Sequence, residues 1–218
     1  MARYLILLAL LLPAPTLAQS VSAPATCAPL LPTLEADTLS PPSDYGTGFY
    51  RVDGSPPPPR TRPASTLEFI LAGGANARSD APLGFSLRVM NRSTSALTVM
   101  RAMDGSAEHM RDPSYDLYVR EVSSSAVYRW DFHGGRCGMM NAVGAEDYVR
   151  IAPGAVNTTL PGDWGEHLQN ATIRAPGHYE AWVVYRLCGD MRGSGASAPG
   201  SAPAPGEFVS NAVRFRVR

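Results

Sequence analysis

Apolar residues recur at every second position in several short stretches that begin after residue 66. In residues 67–71 they are Leu67, Phe69 and Leu71, and Gly73 and Gly74 follow. The same alternation returns in residues 85–89, 97–99, 115–119, 127–130, 148–151, 179–187 and 213–217. A spacing of two is typical of strands with one buried face, whereas a helix would repeat every third and fourth position. We therefore predict an all-β fold of about seven to nine strands.

The longest alternating stretch follows the turn Pro176-Gly177 and begins at Tyr179. Proline fixes φ and glycine accepts positive φ, so this pair can turn the chain sharply into a strand. A turn followed by Tyr and a long strand is typical of the penultimate strand of an immunoglobulin-like sandwich. The core residues that this pattern predicts are Phe69, Leu87, Val89, Leu117, Tyr179, Val183, Tyr185 and Phe215.

Three turns carry a family resemblance. They are Ala152-Pro153-Gly154 after a strand, the Pro176-Gly177 turn described above, and Ser210-Asn211-Ala212 before the last strand. With them the chain resembles immunoglobulin-like and fibronectin-like domains. Its layout is also similar to bacterial proteinase-inhibitor domains of the BsuPI type, through the order of the Asn91 turn, Val127-Tyr128-Arg129-Trp130, Pro153-Gly154, Trp164 and Pro176-Gly177-His178-Tyr179. The resemblance implies a two-sheet antiparallel sandwich and, as one alternative function, protease inhibition. An antibody domain has a cysteine two residues after the tyrosine. Here Ala181 stands there, so that inter-sheet disulfide is not expected.

The chain before residue 66 has a different composition. Residues 1–18 have a basic start, a short apolar run and small residues before Ala18, which predicts a cleaved signal peptide. Residues 19–65 are rich in proline, with four in a row at 56–59, and predict a stiff linker or tether. Phe49 and Tyr50 interrupt this linker and could add an edge strand or rest on the domain. We place the sandwich at residues 66–218, with a flexible Gly/Ala/Pro loop at 189–206.

The charge and composition of the chain limit the classes of binding partner that we expect. The 19 basic residues are all arginine and balance 19 acidic residues, with no basic block. Nucleic acid is therefore not an expected partner. The apolar run of the signal peptide is too short to cross a bilayer, and no later stretch is long enough either. We therefore expect no transmembrane segment in the mature chain and a secreted or periplasmic location. The expected partner is another protein, and no cofactor is expected.

Three cysteines are present, Cys27, Cys137 and Cys188, which is an odd number for an exported chain. We favour a disulfide between Cys137 and Cys188. It would close a loop of about 50 residues and contribute about 4 kcal/mol in the chain-entropy model. Pairing of Cys27 with either of the others remains the alternative.

A set of soft side chains offers the most specific chemistry in the sequence. Thioether, imidazole and thiolate groups suit Cu(I), so a periplasmic copper site is an alternative function. We prefer core methionines and surface histidines as the explanation. The set comprises Met100, Met103, His109, Met110, His133, Cys137, Met139 and Met140.

Enzymatic motifs are weak. His133-Gly134-Gly135 resembles an oxyanion turn, but no Gly-x-Ser-x-Gly elbow accompanies it, so we expect no enzyme. We expect instead a binding or structural domain, with Trp130, Met139 and Met140 as a possible interaction loop. Asn91-Arg92-Ser93 has the form of a glycosylation sequon, and we interpret it as an ordinary turn.

Overall fold

The computed structural model describes residues 39–40, 48–52, 56–60, 66–100, 115–131, 148–157, 168, 171–187 and 206–218. All the elements that it gives there are β-strands, and every strand-to-strand pairing is antiparallel, so the prediction of an all-β fold is confirmed. The strands are β1 (Gly48–Arg51), β2 (Leu67–Ala72), β3 (Ser86–Asn91), β4 (Leu97–Met100), β5 (Tyr115–Glu121), β6 (Val127–Asp131), β7 (Tyr148–Ile151), β8 (Val156–Asn157), β9 (Gly177–Leu187), β10 (Gly206–Val209) and β11 (Val213–Val217).

The larger sheet is organised around β9. Its strand order is β1-β6-β5-β9, and both β10 and β11 pair with the other edge of β9. β10 lies along the second half of β9, where Phe208 is opposite Tyr185, and β11 lies along the first half, where Phe215 is opposite Tyr179. The prediction that the stretch after Pro176-Gly177 is a long strand is confirmed, and this strand connects most of the sheet.

The remaining described strands form two smaller sheets. One has the order β2-β3-β8, and the other pairs β4 with β7. The turn between β3 and β4 is organised by Asn91, whose side chain is fully buried. Its amide nitrogen donates to the carbonyls of Ser95 at 2.8 Å and Ile151 at 2.9 Å, and its oxygen accepts from the backbone N–H of Ser93 at 2.9 Å. Asn91 is therefore a structural turn residue, as predicted.

One hydrophobic core joins the smaller sheets to the larger one. Phe69 of β2 stacks on Tyr185 of β9 with ring centroids 4.7 Å apart. Phe85 meets Phe215 of β11 edge-on at 5.4 Å. Every core residue predicted from the alternation is buried. Burial of such a side chain contributes about 1.5–3 kcal/mol, so these contacts fix how the sheets lie against each other.

The fold begins earlier than the predicted boundary at residue 66. β1 pairs with β6, and Phe49 is fully buried against Trp130 with ring centroids 4.9 Å apart. The backbone N–H of Leu39 also bonds to the carbonyl of Phe49 at 3.0 Å. Part of the predicted linker is therefore an edge strand with a core side chain. An edge strand was one of the two possibilities that the sequence offered for Phe49 and Tyr50, and β1 is that strand.

The prolines at 56–59 lie on the domain instead of holding it at a distance. The indole N–H of Trp182 donates to the carbonyl of Pro57 at 2.9 Å, and the amide of Arg60 donates to the carbonyl of Ser210 at 2.8 Å. A polyproline segment has unpaired carbonyls that can accept such bonds. The prediction of a free tether fails here because an aromatic donor lies within reach.

The last residue of the predicted loop at 189–206 belongs to a strand, because β10 begins at Gly206. Residues 189–205 lie outside the described residues. Among the described residues there is no helix of the length and apolarity that a membrane crossing requires.

Candidate functional site

A row of three charged side chains crosses the outer face of the larger sheet. Arg120 on β5 is in register with Glu180 on β9, and Glu180 is in register with Arg214 on β11. Their chain neighbours Val119, Ala181 and Phe215 are buried in the core. Because side chains alternate along a strand, Arg120, Glu180 and Arg214 lie together on the opposite face.

Glu180 holds both arginines. One carboxylate oxygen accepts from a terminal nitrogen of Arg120, and the other accepts from Nε of Arg214 at 3.3 Å. The carboxylate is buried, with 7% of its side chain exposed, whereas the side chain of Arg214 is 84% exposed. A buried charge is tolerated only when it is paired, and the two guanidinium groups supply that pairing.

A second row extends the site toward the end of the sheet. His178 of β9 is in register with Arg216 of β11, and its carbonyl accepts from the amide of Val122 at 2.9 Å. The two rows line a groove of about 660 Å³, which we call the arginine groove. Asn76 and Ser125 also line this groove.

The arginine groove carries an excess of positive charge. Arg120, Arg214 and Arg216 face it, and Glu180 is the carboxylate among its lining residues. An arginine presents several N–H donors in a planar fork, and Glu180 uses only some of them. The groove can therefore offer oriented donors to a negatively charged group.

Tyr179 is also among the residues that line the groove, and its side chain is fixed by the turn before it. Its hydroxyl donates to the carbonyl of Ala175 at 2.9 Å. Burial, with smaller contributions from the nearby Glu121 carboxylate and from Tyr128, raises the pKa of Tyr179 to about 12. The hydroxyl thus stays protonated at neutral pH and serves as a donor.

Aromatic side chains adjoin the charged row. Tyr118 and Trp182 stack with ring centroids 5.7 Å apart, and the guanidinium carbon of Arg120 lies 6.0 Å from the Trp182 ring centre. Trp182 is 2% exposed. Arg120 is therefore held between the Glu180 carboxylate and an aromatic neighbour, which limits its rotamers.

Trp130 is the one predicted site residue that the structure describes, and it does not line the arginine groove. Trp130 is in the core against Phe49, so it does not present an exposed apolar surface. Met139, Met140, Cys137 and Cys188 lie outside the described residues, and the disulfide stays a prediction.

The side chains of the proposed copper ligands also lie outside the described residues. Met100 ends β4, and its side chain lies outside the described residues together with the other seven members of the set. Within the part of the chain that the structure describes, no three His, Cys, Asp or Glu side chains group as a metal site. The copper hypothesis therefore awaits a Cu(I) titration that compares the wild type with His109→Ala and Met139→Ala.

Sequence reasoning missed the arginine groove, although one signal was present. In the last strand, arginines alternate with the apolar Val213, Phe215 and Val217. Charged residues on the open face of a strand are common, so the pattern alone indicates only exposure. The pairing of Arg120 with Glu180, 60 residues apart, follows from strand register and not from local sequence.

The chain was compared with protein-family models, with curated proteins and with solved structures, and none of the three comparisons found a match.

Proposed function

We propose that this chain is an exported, non-enzymatic binding domain with an immunoglobulin-like sandwich, and that the arginine groove is its contact surface for a partner protein. The observation that carries the proposal is the row Arg120, Glu180 and Arg214, in which a buried carboxylate orients two guanidinium groups on the outer face of the larger sheet. Oriented charges on a rigid sheet suit recognition, since little freedom is lost when a ligand binds.

Two features support the immunoglobulin-like part of the proposal. The hydroxyl of Tyr179, near the start of β9, bonds back to the carbonyl of Ala175. This is the arrangement of the tyrosine corner found at the start of the penultimate strand in that class. In addition, β2 and β9 contribute facing side chains, Phe69 and Tyr185, to one core.

A binding role fits the groove better than catalysis does. A general base must be able to approach the proton that it abstracts, and a buried carboxylate held in place by two arginines is poorly suited to that. Both oxygens of the Glu180 carboxylate already accept from arginines, one from Arg120 and one from Arg214. The groove is thus arranged to hold a charged group in place.

Export is supported by the sequence of residues 1–18, with its basic start, short apolar run and small residues before Ala18. The partner would then be a protein of the cell envelope or of the extracellular space. Such a partner would meet the groove on the outer face of the larger sheet, beside the part that the proline segment covers.

The proposal is tested by affinity capture from the cell-envelope and extracellular fractions of the source cells. Wild type is compared with Arg214→Glu/Arg216→Glu and with the charge-matched control Arg88→Glu/Arg150→Glu, whose arginines are exposed on β3 and β7. Proteins held by wild type and control but lost from the groove variant support the proposal. If all three capture the same proteins in equal amounts, the arginine groove is not the contact surface.

A further inference from the structure

We infer that the arginine groove binds a short acidic peptide segment of the partner protein, whose carboxylates pair with Arg214 and Arg216. This inference rests on the proposed function and adds the chemical class of the ligand. It follows from three properties of the groove: its charge, the orientation of its arginines and its size.

The charge selects an anion. Three arginines line the groove, against the lining carboxylate of Glu180 and the Glu121 carboxylate near Tyr179, so positive charge is in excess. Clefts with an excess of one charge attract ligands of the opposite charge and raise their association rate. Arginine pairs with carboxylates through two parallel hydrogen bonds, which adds geometric selectivity to the attraction.

The orientation favours a ligand that meets several arginines at once. Glu180 engages Arg214 through Nε, so the terminal nitrogens of that guanidinium remain available to a ligand. Arg214 and Arg216 are two residues apart on β11 and lie on the same face. In an extended peptide, side chains on one face repeat at the same interval, so acidic residues at alternate positions match the spacing of these two arginines.

The size indicates a peptide segment and not a single small ion. A groove of about 660 Å³ is within the range of sites for ligands of several hundred daltons. Asn76 and Ser125 add neutral hydrogen-bonding groups beside the charged rows. Val122, which is 54% exposed, adds an apolar contact at one edge. A segment with acidic residues and one apolar side chain would use all of these.

The test measures binding of fluorescently labelled hexaglutamate to the intact mature protein by anisotropy, at low and at physiological ionic strength. Hexaglutamine is the neutral probe. We expect saturable binding of hexaglutamate only, weaker at the higher ionic strength because exposed charges are screened. The variant Arg214→Gln/Arg216→Gln should bind at least about tenfold more weakly, while Arg88→Gln/Arg150→Gln should bind like wild type. Arg214 is one of the two partners of the buried Glu180, and Arg120 still pairs with that carboxylate in the groove variant, so the fold should be retained. A thermal unfolding curve of each variant checks this.

Glu180→Gln separates orientation from charge. This change makes the groove more positive but removes the carboxylate that orients Arg120 and Arg214. The inference predicts weaker binding of hexaglutamate by this variant. Tighter binding would mean that the total charge, and not the oriented arginines, determines affinity, and would contradict the inference.

Three other results would also overturn it. The first is no binding of hexaglutamate by wild type, and the second is equal weakening in the groove and control variants. The third is full displacement of the peptide by inorganic phosphate at a concentration equal to that of the peptide's carboxylates, which would indicate a small-anion site. In each case, partner proteins that are still lost from the charge-reversal variant of the groove would leave the proposed binding function standing and remove only the acidic class of ligand.

Discussion

The side chain of Asn211 pairs with the backbone of Leu71 as a neighbouring strand would. Its oxygen accepts from the Leu71 N–H at 2.9 Å, and its nitrogen donates to the Leu71 carbonyl at 3.1 Å. Asn211 lies between β10 and β11, where the edge of the larger sheet approaches β2. One side chain thus links two sheets that share a core.

Replacement of Asn211 by Ala should therefore destabilise the fold. Two backbone groups of Leu71 lose their partners, and each partly buried group left unpaired costs about 1–3 kcal/mol, less where water can enter. We expect a loss of about 2 kcal/mol in the free energy of unfolding, measured by urea denaturation. Ser123→Ala, in an exposed turn, is the control and should change the midpoint little. Equal midpoints for the two variants would mean that the link carries no stability.

The second prediction concerns the edge strand β1, which lies within the segment that was predicted to be a linker. Phe49 is fully buried against Trp130. Phe49→Ala should cost about 3–5 kcal/mol, and Phe49→Leu clearly less, because a leucine fills most of the space. Chemical denaturation of the mature protein measures both. An unchanged midpoint in Phe49→Ala would show that β1 is dispensable and that the domain begins near residue 66 after all.

The alternation of apolar residues was sufficient to locate most strands and the core, because burial of one face imposes a period of two whatever the topology. It missed β8 and β10, which are short strands, and it gave β1 only as one of two possibilities within the proline-rich linker. It missed the arginine groove for a different reason. Arg120, Glu180 and Arg214 meet only through the register of three strands that are distant along the chain.

The third prediction is a dependence of stability on alkaline pH through Tyr179. The pKa of this hydroxyl is about 12 in the folded chain, against about 10 in the unfolded chain. The unfolded state releases the proton first, so the contribution of Tyr179 is complete below about pH 10 and is lost as the pH rises toward 12. The pH series compares wild type with Tyr179→Phe, which has no proton to lose.

At pH 8 the wild type should be more stable than Tyr179→Phe by about 1 kcal/mol, the worth of the hydrogen bond to Ala175. Between pH 8 and 11 this difference should shrink by about 1 kcal/mol. Urea denaturation at each pH measures it. A constant difference would mean that burial does not raise the pKa of Tyr179.

The fourth prediction concerns the contact between Trp182 and the proline segment. Trp182→Phe keeps an aromatic ring beside Tyr118 but removes the indole N–H that bonds the Pro57 carbonyl. The amide of Arg60, which bonds Ser210, should then exchange its hydrogen about tenfold faster, because the segment separates from the sheet more often. Hydrogen exchange followed by NMR measures this amide. Tyr118→Phe is the control, since it leaves the indole bond in place, and unchanged exchange in Trp182→Phe would show that the bond does not hold the segment.

The central claim is that the arginine groove is a binding surface for acidic protein segments. The most direct measurement follows the arginine Nε–Hε signals in NMR spectra during titration with hexaglutamate. We predict saturable shifts for Arg120, Arg214 and Arg216, with one shared dissociation constant, and little change for Arg88 and Arg150. Equal shifts at all exposed arginines, or no shift at the three arginines of the groove, would contradict the claim.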